Sequence, residues 1–78
     1  MNNEIIRKLL LKNDWSRIIF RFSAASSYTL FSSDKFIMDS FCIYIYPDGS
    51  RMMNVLDIES LISMDIKKKE LQDIVEED

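Results

Sequence analysis

Residues 36–50 read FIMDSFCIYIYPDGS, and their reading decides the fold. The stretch 36–46 is dense in aromatic and β-branched side chains, the types that suit a pleated, half-buried surface. Pro47-Asp48-Gly49 then forms a tight turn. Proline presets φ at the first turn position, and Gly49 supplies the positive φ of a following bulge. Such a turn pairs Tyr46 with Ser50. Counting outward sets Ile45 against Arg51, Tyr44 against Met52, Ile43 against Met53, Cys42 against Asn54 and Phe41 against Val55. One face of this hairpin then holds Phe41, Ile43, Ile45, Met53 and Val55; the other holds Cys42, Tyr44, Tyr46 and Met52. Asp39 falls with Phe41 and Ile43 in this register, where an unpaired carboxylate is costly. A bulge near Ser40 is expected to turn it outward.

Toward the N-terminus, Asn2 or Asn3 can cap a helix, and Glu4 sits where the helix dipole favours an anion. Ile5, Ile6, Leu9 and Leu10 share a face, and Asn13 tolerates the left-handed conformation that ends a helix. These signals predict a helix over 3–12. From Trp15 the period becomes two, with Ile18, Phe20 and Phe22 on one side and Arg17, Ile19 and Arg21 on the other, as in a half-buried strand. Residues 23–27 are a loop, 28–31 a second strand and Ser32-Ser33-Asp34 a turn.

Toward the C-terminus, NVLDIESLISMDIK (54–67) supports two patterns. Leu56, Ile58, Ser60, Ile62, Met64 and Ile66 alternate as in a strand, while Asp57 can cap a helix in which Ile58, Leu61, Ile62 and Ile66 share a face. A strand interrupted by a helical turn near 57–60 reconciles them. The tail, KKKELQDIVEED, reads as a helix from about 66 with Leu71, Ile74 and Val75 as its apolar stripe. The fold class is therefore α+β: an N-terminal helix, an antiparallel sheet of about four or five short bent strands and a C-terminal helix, all in one domain over 1–78.

Composition narrows the chemistry. The 78 residues include no His, one Gly, one Pro and one Cys, with 47% hydrophobic side chains and a formal net charge of −3. Without His there is no Ser-His-Asp triad and no His ligand for zinc. One glycine cannot make a phosphate-cradling loop. Cys42 has neither a His nor a cation near it in sequence and reads as a small packing residue, not a nucleophile. The carboxylates sit in turns and on polar faces, with nothing to raise the pKa of one of them. No catalytic residue, cofactor or metal ligand is expected, and the protein is expected not to be an enzyme.

No apolar run reaches the roughly 18 residues of a membrane span. Glu4, Arg7, Lys8 and Lys12 interrupt the first apolar stretch, which suits a signal peptide poorly. With a single thiol, a cytoplasmic protein that does not engage a membrane is expected.

Two surfaces are candidates for binding. Arg7, Lys8 and Lys12 on the helix, with Arg17 and Arg21 on the outer strand face, form a candidate basic patch for phosphates. An ordinary solvated face is the plainer reading, since a sequence pI of about 4.8 is against a dedicated nucleic-acid binder. The second hairpin face is more informative. Cys42, Tyr44, Tyr46 and Met52, with Ile19 adjoining, are a candidate interface, because one helix covers only one sheet face and Tyr and Met favour interfaces. The C-terminal helix is the competing cover.

These features favour a small non-enzymatic protein-interaction module, an inhibitor or regulator that binds a larger protein or a second copy of itself. In composition the chain resembles accessory proteins of phages and mobile elements, including toxin neutralisers and defence-system inhibitors. A helix followed by bent strands, with VLDIESLI near the end, resembles in layout the Sm-like small barrels. That resemblance implies nucleic-acid binding as an alternative. A homo-oligomeric structural subunit is a further one.

Overall fold

A computed structural model describes residues 2–69. It comprises one helix, α1 (Asn3–Lys12), and six strands: β1 (Trp15–Phe22), β2 (Ser27–Phe31), β3 (Lys35–Met38), β4 (Cys42–Tyr46), β5 (Asn54–Asp57) and β6 (Leu61–Lys68). The strands are antiparallel and form two three-stranded sheets, the first in the order β2-β1-β6 and the second in the order β3-β4-β5. The chain passes between sheets twice: through residues 32–34, and through the single 3-10 turn Ile58–Ser60.

Helix α1 begins and ends as its sequence predicts. The Asn2 side chain accepts a hydrogen bond from the Glu4 N–H, and Asn13 closes the helix at φ 57°. Only Ile6 and Leu10 of its apolar residues are fully buried. They join Trp15, Ile18, Phe20 and Leu30 of the first sheet, Ile43, Ile45 and Leu56 of the second, and Ile58 and Leu61 in one core. Trp15 connects all three layers. Its Nε1–H donates to the Leu10 carbonyl at 3.1 Å, and its ring lies 6.5 Å from that of Phe36 on β3. The Asn54 side chain donates to the Tyr28 hydroxyl at 2.9 Å and so ties β5 to β2.

The interrupted strand expected over 54–66 is present. Asp57 caps the 3-10 turn, accepting from the Glu59 N–H and the Ser60 hydroxyl, and β6 then runs back along β1.

Three expectations are corrected. Residues 36–46 are two strands, not one, which brings the count to six, and the strands form two three-stranded sheets where a single sheet is expected. The Asp39 N–H donates to the Cys42 carbonyl and closes a turn, while its carboxylate accepts from the N–H groups of Phe41 and Cys42, each at 2.8 Å. Asp39 is the turn's own cap, which replaces the expected bulge, and Phe41 stands 75% exposed at the turn instead of in the core. Second, the 47–53 connection is longer than the expected turn. The Ser50 N–H does close on the Pro47 carbonyl, but pairing resumes only at Asn54, which lies opposite Ile45. The true register puts Tyr44 against Val55 and Ile43 against Leu56. This slip of three residues is odd, so it turns Val55 outward and Leu56 inward. Third, no C-terminal helix starts at 66, because Ile66, Lys67 and Lys68 pair with β1 as part of β6. The rest of that expected helix, from residue 70 on, lies outside the described residues. Among the described residues, no helix is long and apolar enough to cross a membrane.

Candidate protein-interaction face

The outward face of the second sheet follows from its register. Ile37 on β3, Tyr44 on β4 and Val55 on β5 are cross-strand neighbours and form the middle row. Lys35 and Tyr46 pair toward one end, and Cys42 and Asp57 toward the other, where Asp39 caps the turn. Alternation sends Phe36, Met38, Ile43, Ile45 and Leu56 to the opposite side, against the core. The two ends of the middle row are open to solvent, Ile37 59% and Val55 51% exposed, with Tyr44 half-buried between them. Tyr46 and Met53 are also exposed.

Tyr44 is tethered within this face. Its hydroxyl donates to Asp39 Oδ2 at 2.9 Å. The two backbone N–H groups and this hydroxyl hold the Asp39 carboxyl below its ordinary range, and the nearby Arg7 adds to the effect. The same hydrogen bond to the carboxylate pushes the Tyr44 phenol up to about 12. At neutral pH the pair is a carboxylate and a neutral phenol, and the ring is held in place before any partner arrives.

Of the candidate interface residues, Cys42, Tyr44 and Tyr46 lie together on this face. Met52 does not join them. It sits in the 47–53 loop, 71% exposed, and Val55 takes the position expected for it opposite Tyr44. Ile19 lies on the other sheet, between Thr29 and Asp65. Ile37 and Val55 escaped the sequence reading. Alternation would have found Ile37 once residues 35–38 were separated as a strand, but the length of the 47–53 loop has no local signature.

The candidate basic residues are dispersed. Lys8 and Lys12 are exposed on α1, while Arg7 is half-buried and its Nη1 reaches toward the Met38 carbonyl at 3.5 Å. Arg17 lies on the first sheet between Phe31 and Lys67. Arg21 forms an ion pair with Asp65 at 2.7 Å, and Lys12 and Lys68 converge on Asp14 at 4.0 and 2.7 Å. Hydrogen bonding from Lys68 holds the Asp14 carboxyl below its ordinary value. Among the described residues, no group of three His, Cys, Asp or Glu is placed to hold a metal ion.

No family model, curated protein or solved structure matches this chain. Its functional reading therefore stands on its own residues.

Proposed function

We propose that the chain is a small non-enzymatic interaction module, an inhibitor or regulator, that docks on a larger protein through the outward face of the second sheet. The observation that carries this reading is the row Ile37–Tyr44–Val55, in which exposed Ile37 and Val55 flank a half-buried Tyr44. Contiguous exposed apolar groups mark contact surfaces more often than isolated ones do. Tyrosine is also among the side chains that dominate binding energy when water is excluded around them. The Asp39 tether lowers the entropy lost when the Tyr44 ring is immobilised by a partner.

The test is affinity capture from host extract with the tagged full chain, wild type beside Ile37→Asp. The substituted side chain is solvent-facing, so the variant is expected to keep the wild-type circular dichroism spectrum. A protein retained by the wild type and lost by the folded variant supports the reading. Equal retention by both, or no retained protein, overturns it.

A further inference from the structure

Helix α1 has a second apolar face. Ile6 and Leu10 enter the core, while Ile5 and Leu11 are exposed and Leu9 is half-buried. With Lys8 and Lys12 these three line a shallow apolar depression along the outside of the helix. The chain leaves the described residues beside it. The Lys69 N–H donates to the Asp14 carbonyl at 3.0 Å, and the Asp14 carboxylate holds Lys68 at 2.7 Å and Lys12 at 4.0 Å. Residue 70 therefore starts next to the C-terminal end of α1. Residues 70–78 read ELQDIVEED, with Leu71, Ile74 and Val75 at helical spacing, five carboxylates and no basic group.

Charge and continuity choose among the faces open to such a segment. The second sheet's outward face has Lys35 against Asp34, Asp39, Asp48 and Asp57 around its rim, which repels an acidic segment. The first sheet's outward face carries Arg17, Arg21 and Lys67, but Ile19 and Phe31 lie there among Thr29, Asp65 and Arg17 and form no stripe. Reaching that face from Lys69 also requires the chain to reverse. The outer face of α1 joins an apolar stripe to Lys8 and Lys12, with Glu4 the opposing exposed charge. As a helix, residues 70–78 would span about 14 Å, against about 15 Å for α1.

We infer that residues 70–78 pack as a helix along the outer face of α1 and antiparallel to it. Leu71, Ile74 and Val75 lie against Ile5, Leu9 and Leu11, and the carboxylates approach Lys8 and Lys12. In this direction the acids at 76–78 meet the N-terminal end of α1, where the helix dipole favours them. The segment is thereby kept off the second sheet, whose outward face stays open to the partner proposed above.

The test is methyl NOE spectroscopy and amide hydrogen exchange on the full chain. Contacts from Leu71, Ile74 and Val75 to Ile5, Leu9 and Leu11 are expected, and a mixture of labelled and unlabelled protein should show them within one chain. Ile74→Asp, and separately Leu11→Gln, should abolish them without moving the Trp15 and Phe20 signals of the core. Lys8→Glu should raise amide exchange rates at 71–75 about two- to fivefold, because an attractive exposed charge becomes repulsive. Absence of these contacts, contacts only between chains, or exchange indifferent to Lys8→Glu each overturns the inference. Contacts to Ile37 and Val55 instead would overturn it together with the proposed docking face, whereas a failed partner capture leaves it standing.

Discussion

The middle outward row of the first sheet is Thr29, Ile19 and Asp65; that of the second is Ile37, Tyr44 and Val55. The flanking rows of the first sheet add Phe31, Arg17 and Lys67 on one side and Ser27, Arg21 and Ser63 on the other, with Phe31 49% exposed and Arg21 paired to Asp65. Both sheets are three-stranded and antiparallel, and both press apolar side chains into the same core. Sheet geometry therefore does not require the second outward face to be apolar, because the first shows how a neighbouring sheet of the same chain meets water. The difference is what supports the proposal that the second face is a contact surface.

The comparison requires that the two sheets stand or fall together inside while differing outside. Phe20→Ala in the first sheet should cost about 3–5 kcal/mol and Ile45→Ala in the second about 2–5 kcal/mol, since both side chains are fully buried. For so small a domain either loss approaches the whole stability. Denaturant unfolding followed at Trp15 and by backbone circular dichroism should give coincident transitions for both variants. Separate transitions would divide the core into two.

Ala25→Gly should act in the opposite direction. Ala25 holds φ 59° in the β1–β2 connection, a conformation that strains any residue with a Cβ. Glycine relieves that strain while adding unfolded-state entropy, for a net gain of about 0.5–1 kcal/mol, readable as a raised denaturation midpoint. A lowered midpoint would mean that the Ala25 methyl makes a contact worth more than the strain.

A smaller effect is expected on the polar outer face. A double-mutant cycle on Arg21 and Asp65, both about half exposed, should give a coupling below about 1 kcal/mol that fades with added salt. A larger, salt-resistant coupling would show that this face is not freely solvated.

The tyrosine tether can be read by titration. The phenol of Tyr44 is raised in the folded chain, so the tether's contribution to stability is complete below the ordinary phenol value near 10. It is lost as pH rises from there through about 12. For Asp39 the sign is reversed. Its lowered value gives stability that is present above the ordinary carboxyl range and lost as pH falls through the folded value. Ultraviolet titration should show a late phenol from Tyr44, and Asp39→Asn should return it toward 10. A late phenol that persists in the variant would assign the shift to another cause.

The sequence was most readable where one residue makes its own local signal. Asp57 announces the 3-10 turn because a capping side chain interrupts an otherwise alternating run, and Asn2 and Asn13 bracket α1 in the same way. Asp39 belongs to the same class, but it stands among Phe36, Ile37, Phe41 and Ile43, whose β character hid the reversal. The second sheet's face depended on a parity. Pro47 and Gly49 mark where the chain turns, yet only tertiary pairing decides that Met52 and Met53 stay outside the ladder. An odd slip exchanged Val55 with Leu56 and concealed Val55, while the reversal at Asp39 concealed Ile37. The strand that ends at Lys68 was masked by Lys67-Lys68-Lys69, which reads as helix until β1 is seen to need a second neighbour.

We propose the outward face of the second sheet, and not that of the first, as the contact surface. It is tested most directly by placing one new carboxylate on each face and measuring retention of the same captured protein by Val55→Asp and by Thr29→Asp. Val55→Asp is expected to lose the protein while Thr29→Asp keeps it at the wild-type level. Loss with Thr29→Asp and retention with Val55→Asp would place the contact on the first sheet instead.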